Sequence, residues 1–133
     1  MNAIDTNVFV YAFDDSSPAN REVARSLLAS VSDGVLLWQV ACEFVSASRK
    51  GLPAKSDLAV VWSRLAELRA AFPLVLPTDA MLTRAAELQS RTRVQFWDSL
   101  IYSACLEAGI GRLYSEDVPG CTIEGLEIVN PFA

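Results

Sequence analysis

Apolar positions follow two rhythms along this chain. Some form short unbroken runs; others recur with the ~100° per residue of a helix. The runs "MNAI", "VLLW", "LVLP", "RLYS" and "GLEIVNP" predict five strands, the first ending near Asp5. Helical stretches lie between them. A short helix follows strand one in "DTNVFVYAFDD". "PANREVARSLLASVSDG" puts Val23, Ala24, Leu27, Leu28 and Val31 on one face, with Pro18 at its start and Asp33-Gly34 closing it. "QVACEFVSASRKG" predicts a helix ended by Gly51. "SDLAVVWSRLAELRAAF" is amphipathic through Leu58, Val61, Trp62, Leu65 and Leu68, with Ser56 as N-cap and Pro73 as its stop. "TDAMLTRAAELQSRT" begins at Thr78 or Asp79, and "FWDSLIYSACLEAG" is closed by Gly109.

Strands alternating with helices predict an α/β fold with a parallel sheet covered on both faces. The connections are too short to hold a second domain, so residues 1–133 read as one. In such sheets, sites form outside the carboxyl ends of the strands. Asp5 ends strand one, and Glu116 and Asp117 follow strand four.

The last helix contains an anomaly. Ser99, Ser103 and Glu107 mark its expected wet stripe, and Asp98 points ~140° from the centre of that stripe on helical spacing, beside Ile101, Tyr102 and Cys105. An ionised carboxylate on an apolar face is costly unless something pairs with it. Asp98 therefore either caps the helix or faces another group. Asp5, Glu43 and Asp117 are likewise flanked by apolar residues. Each has an ordinary alternative: Asp5 as a cap, Asp117 in the turn at Pro119-Gly120, Glu43 in an exposed cluster with Gln39, Ser46 and Lys50.

Composition narrows the chemistry. Net charge is −5, so bulk charge does not draw the chain to nucleic acid or anionic membrane. A local site supplied with arginines or a metal ion is still allowed. The basic residues are mostly arginines, which favour bidentate contact with phosphates; the only lysines are Lys50 and Lys55. Cys42, Cys105 and Cys121 are widely spaced and there is no histidine, which argues against a disulfide framework, the usual zinc sites and a Ser-His-Asp triad. The thiols read as buried core residues of a reducing compartment, here the cytoplasm. The opening lacks a basic leader, and no apolar run approaches the ~20 residues of a membrane helix. Several acids at one sheet edge without histidine suit Mg²⁺ or Mn²⁺, hard cations that take oxygen ligands.

The segments carrying these acids resemble, in order, the motifs of PIN-domain ribonucleases, and more narrowly the VapC-type toxins of prokaryotic toxin–antitoxin pairs. "IDTNVFVYAFD" resembles the opening motif, "QVACEFVSA" the segment with the helical glutamate, and "FWDSLIYSACLEAGIGRLYSEDV" the third and fourth acidic positions. "GLEIVNPF" resembles a common ending of the toxins. The resemblance covers essentially the whole chain and implies a three-layer α/β/α domain with a mainly parallel five-stranded sheet.

Carried over by position, Asp5, Glu43, Asp98 and Asp117 match the family's acids, with Asp5 and Asp98 implied to hold Mg²⁺ or Mn²⁺. Asn7 matches a polar residue supporting the first aspartate, Ser115 stands where threonine is usual, and Glu116 adjoins the site. The segment "VPGCTIEG" after Asp117 is slightly shorter than the usual pattern. The implied activity is metal-dependent endonucleolytic hydrolysis of RNA, leaving 5′-phosphate and 3′-hydroxyl ends. Arg49, Lys50, Arg91 and Arg93 flank Glu43 and Asp98 in sequence and are expected to contact RNA phosphates. The resemblance also implies a homodimer and a small antitoxin laid in a groove, with Val8 to Phe13 and Val23 to Val31 as candidate walls.

Three rivals can be weighed. A phospho-acceptor receiver needs a lysine after a late strand, and none follows Lys55. A haloacid-dehalogenase-type phosphatase needs a second aspartate where Asn7 stands. A catalytically inactive PIN fold serving as an RNA- or protein-binding module is the remaining alternative, although all four acids are present.

Overall fold

The computed structural model describes residues 1–50 and 58–133, without the side chain of Lys50. Within them the chain runs β1 (Asn2–Ile4), α1 (Thr6–Tyr11), α2 (Pro18–Ser30), β2 (Gly34–Leu37), α3 (Trp38–Lys50), α4 (Leu58–Ala71), β3 (Leu74–Val75), α5 (Asp79–Arg91), α6 (Phe96–Glu107), β4 (Arg112–Tyr114) and β5 (Glu127–Val129). Each predicted strand and helix is present, with ends moved by a few residues. Trp38, expected to end strand two, opens α3 instead. The expected stop at Gly51, the N-cap at Ser56 and the phosphate contact at Lys50 lie outside the described residues.

The sheet has the order β3-β2-β1-β4-β5, and every pairing is parallel. The chain lays β2 and then β3 outward on one side of β1. It then crosses back to place β4 on the other side, with β5 beyond. The strand order therefore reverses between β1 and β4, and at such a switch point the connections leave a crevice at the carboxyl edge. The register of Ile4 with Tyr114 brings the two strand ends level, so the residues after each meet.

The sheet's buried strands read as nearly continuous apolar runs because helices cover it. Ile4, Leu36, Leu37 and Leu113 are almost wholly buried, as are Val8, Phe9, Val40 and Phe44 from α1 and α3. Phe9 meets the Phe72 ring edge-on at 5.7 Å, and Phe13 meets Phe44 similarly at 5.9 Å. Helix α3 packs on α1 and α4, and α5 packs on α6.

Several faces differ from the pattern reading. On α6 two of the three positions of the expected wet stripe are dry: Ser99 and Ser103 are fully buried, Glu107 is exposed as expected, and Phe96 and Trp97 are exposed as well. The two hydroxyls are satisfied within the helix, donating to the carbonyls of Phe96 and Leu100 at 2.6 and 3.0 Å. This local bonding lets small polar residues occupy a packed face. Val23 and Trp62 are exposed rather than in the core. Of the cysteines only Cys105 is buried; Cys42 and Cys121 are free and exposed. Apolar neighbours in sequence do not bury a thiol when its helix face or loop turns outward. No helix among the described residues is long and apolar enough to cross a membrane.

Candidate active site

The site is assembled at the end of β1. Asp5 is the N-cap of α1, and its Oδ1 accepts from the Thr6 N–H at 2.7 Å. That pairs one of the donors a helix start leaves free. Its other oxygen, Oδ2, accepts from the hydroxyl of buried Ser115 at 2.7 Å. The same hydroxyl oxygen accepts from the Asp117 N–H at 3.0 Å. One serine thus joins the acid after β1 to the acid after β4. Asp5 thus caps α1 and also lines a cleft, so the cap does not remove it from the candidate site.

Asn7 supports the β4 side rather than Asp5. Its Oδ1 accepts from the Glu116 N–H at 3.3 Å, and its Nδ2 donates to Asp117 Oδ2 at 3.4 Å. The Glu116 carboxylate accepts from the Tyr11 hydroxyl at 3.2 Å, and the Asn130 amide donates to its backbone carbonyl at 3.4 Å.

Two helices bring the other acids. Glu43 lies on α3, where its Oε2 accepts from the Thr6 hydroxyl at 2.8 Å and its Oε1 from Gln39 Nε2 at 2.7 Å. Asp98 lies in the first turn of α6, but Gln95 holds the cap position, so Asp98 is not the cap. A carboxylate there is favoured by the helix dipole by roughly 0.3–1 kcal/mol. Thr6 and Gln39 were not singled out as site residues in the sequence. The available signal was the i, i+4 spacing of Gln39 and Glu43, which puts them on one helix face.

Asp5, Glu43, Asp98 and Asp117 all line one cleft of about 430 Å³. Thr6, Asn7 and Tyr11 are its neutral polar lining, and Val10, Ala47 and Ile101 its apolar lining. Glu116 is not part of that lining. Nor are Arg49, Arg91 and Arg93, which are exposed elsewhere on the surface. The ion pairs among the described residues, Arg21–Asp15, Arg84–Glu107 and Arg112–Glu127, leave all four acids out.

The electrostatics follow. Burial pushes the Asp5 carboxyl above the usual aspartate range; the bonds from Ser115 and Thr6 pull it back, and the charges of Glu43 and Asp117 push it up again. The Tyr102 hydroxyl is also pushed up, first by burial and then by Asp98, Asp5 and Asp117. Burial, aided by Asp5, pushes the Cys105 thiol up to about 12, so it is a protonated core group. Among the described residues the cleft holds clustered negative charge and no basic side chain lines it.

That donor set fits a hard divalent cation. Among the described residues no three His, Cys, Asp or Glu side chains converge tightly enough to enclose an ion by themselves. Mg²⁺ does not require it, since it commonly keeps several waters and binds one or two carboxylates plus substrate phosphates. The wide, acid-lined cleft suits that mode better than an all-protein cage.

Comparison with known proteins agrees with the fold. No curated protein matches the sequence. Among solved structures, FitAcB from Neisseria gonorrhoeae superposes with a TM-score of 0.78 at 17% identity, covering 99% of each chain. A toxin-antitoxin complex from Klebsiella pneumoniae gives 0.74 at 15%, covering 98% of each. VapBC2 from Rickettsia felis, bound to a promoter DNA fragment, gives 0.71 at 16%, covering 96% of each. At these identities the likeness is one of architecture. The sequence itself matches the family model of the PIN domain over residues 3–118, a span holding all four cleft acids, and the chain belongs to the PIN domain family.

Proposed function

We propose that this chain is an Mg²⁺- or Mn²⁺-dependent endoribonuclease and the toxin of a toxin–antitoxin pair. The observation that carries the reading is the cleft at the β1–β4 switch point. Four carboxylates from four separate segments line it, with no Lys or Arg among its described lining residues. Folding would not gather uncompensated acids for stability, because like charges close together disfavour ionisation.

Asp5 and Asp98 would hold the cation, with Glu43 and Asp117 completing the site directly or through water. When bound, it would activate water and offset the charge developing on a scissile phosphate. The chain's own part is placement. Ser115 and the Thr6 N–H fix the Asp5 carboxylate, Asn7 steadies Asp117, and Thr6 and Gln39 steady Glu43. Val10 and Ile101 add apolar lining, and charge interactions beside such surface are stronger than in open water. Arg49, Arg91 and Arg93 remain proposed contacts for RNA phosphates away from the reacting bond, and Lys50 a proposed contact whose side chain lies outside the described residues.

A homodimer and a small antitoxin complete the proposal; the antitoxin is supported by solved neighbours that include a toxin-antitoxin complex. Of the groove walls expected from sequence, Val8 and Phe9 drop out because they are fully buried, while Val23 is exposed. Exposed apolar surface lies instead around α3. Two adjoining apolar clefts share Trp38 and Cys42, one reaching Leu82 and Trp97 and the other Trp62. Trp62 and Trp97 are 55% and 61% exposed, and exposed apolar patches of this kind mark protein contacts. Light scattering of the purified chain should give twice the monomer mass, and purification after expression from its native operon should bring down a small partner protein. A monomer with no small partner would remove this part.

The nuclease reading is tested by incubating RNA with the chain in Mg²⁺ or in EDTA and mapping the ends. Cleavage only with the cation, leaving 5′-phosphates, is expected. A folded chain that leaves RNA intact in both would favour the inactive binding module.

A further inference from the structure

Gln39 makes a contact that its position on a helix surface does not require. Its Nε2 donates to Glu43 Oε1 at 2.7 Å and also to the Trp97 carbonyl at 3.2 Å. Both partners are acceptors, so the amide nitrogen, not the oxygen, must face them. The far oxygen of Glu43 accepts from the Thr6 hydroxyl at 2.8 Å. Thr6 follows Asp5 directly, and Trp97 directly precedes Asp98.

Three segments that share no strand pairing are therefore joined through one carboxylate and one amide. The start of α1 bears Asp5, α3 bears Glu43, and the first turn of α6 bears Asp98. Hydrogen bonds to an ionised acceptor are about twice as strong as neutral ones. They strengthen further where water is partly excluded. Gln39 and Glu43 sit one helical turn apart on α3, so their mutual bond costs little backbone distortion.

We propose that Gln39, acting with Thr6, is a positioning residue that presets the spacing of Asp5, Glu43 and Asp98 for the divalent cation. Gln39 does not line the acidic cleft; it acts through Glu43 and through the chain beside Asp98. The inference rests on the nuclease reading and adds to it the part that holds the acids apart at a fixed distance. Without the strut, like-charged carboxylates are free to splay into the cleft, and the ion must draw them together as it binds. Loss of such supporting bonds typically weakens metal binding by about 10–100-fold.

The test uses Gln39→Met, which keeps length and helix propensity but no donor, and Thr6→Val, which keeps shape without the hydroxyl. Mn²⁺ binding to EDTA-stripped protein is measured by calorimetry, alongside thermal melts in EDTA and single-turnover RNA cleavage across Mn²⁺ concentrations. Each variant should bind Mn²⁺ at least about tenfold more weakly, with cleavage recovered in part at high Mn²⁺. The double variant should lose less than the sum of the two, because both act on one carboxylate. A merely structural role would lower the melting temperature in EDTA and leave Mn²⁺ affinity within about twofold of wild type; that result in both variants overturns the inference. Wild-type protein that neither binds Mn²⁺ nor cleaves RNA would overturn the nuclease reading, and this inference with it.

Discussion

Ser115→Ala removes the hydroxyl that joins the two sides of the switch point. Ser115 is 1% exposed, and its oxygen bonds Asp5 at 2.7 Å and the Asp117 N–H at 3.0 Å. A hydrogen bond to a charged group contributes roughly 1.5–3 kcal/mol, and a neutral one about 1. Water entering from the cleft can replace part of the bond to Asp5, so the low end applies and the net loss is about 2 kcal/mol. For a domain of this length that corresponds to roughly 6–10 °C in Tm. Urea and thermal melts in EDTA at pH 7 measure it, with Ser115→Thr as the control that restores the hydroxyl. The loss should also depend on pH with a defined sign. Burial raises the Asp5 carboxyl above 3.8. A group raised in the folded state contributes stability that is full below its unfolded value and lost as pH rises through its folded value. The Ser115 bond opposes that rise. Removing it lifts the folded value further and enlarges the cost at neutral pH. Wild type and variant should therefore converge as pH falls towards about 4, where Asp5 protonates even unfolded. A variant melting within about 1 °C of wild type at pH 7, or a gap that widens on acidification, would refute this reasoning.

Two further outcomes follow from single residues. Asp98→Asn should keep the fold, because Gln95 and not Asp98 holds the cap, and should lower Mg²⁺-dependent RNA cleavage at least about a hundredfold; near-wild-type cleavage would reject Asp98 as a ligand. Gly34→Ala should destabilise by about 1–3 kcal/mol without altering Mn²⁺ affinity, since an added Cβ meets the Phe72 ring at 2.9 Å and that ring is held against Phe9. Wild-type melting of Gly34→Ala would show that the ring yields.

The elements were legible because their signals are local. Pro18 at the start of α2, Thr78 before α5 and the short apolar strand runs each act within a few residues. The carboxyl-edge rule placed Asp5 and Asp117 together because parallel strands bring all their ends to one side. The apolar face of α6, with Ile101, Tyr102 and Cys105, is buried as expected, but Ser99 and Ser103 are buried too because that helix is apolar almost all round. Two serines then seemed to mark water, although their hydroxyls bond inside the helix. The bonds that hold the acids were not legible. Thr6 to Glu43, Gln39 to Trp97 and Asn7 to Asp117 join residues far apart in sequence, and only the strand order brings them together.

The central claim is that Asp5, Glu43, Asp98 and Asp117 form one cation site rather than four separate structural acids. Thermal melts of wild type and Asp5→Asn, each in EDTA and in Mn²⁺, test it most directly. Asparagine preserves the acceptor for the Thr6 N–H and can donate to Ser115, so both local bonds survive the change. Relief from burial and from the charges of Glu43 and Asp117 should leave the variant as stable as wild type in EDTA, or more so. Mn²⁺ binding only the folded state should raise the wild-type Tm by mass action, and raise that of Asp5→Asn far less. A variant that melts clearly lower in EDTA, together with a wild type that Mn²⁺ does not stabilise, would contradict the shared site.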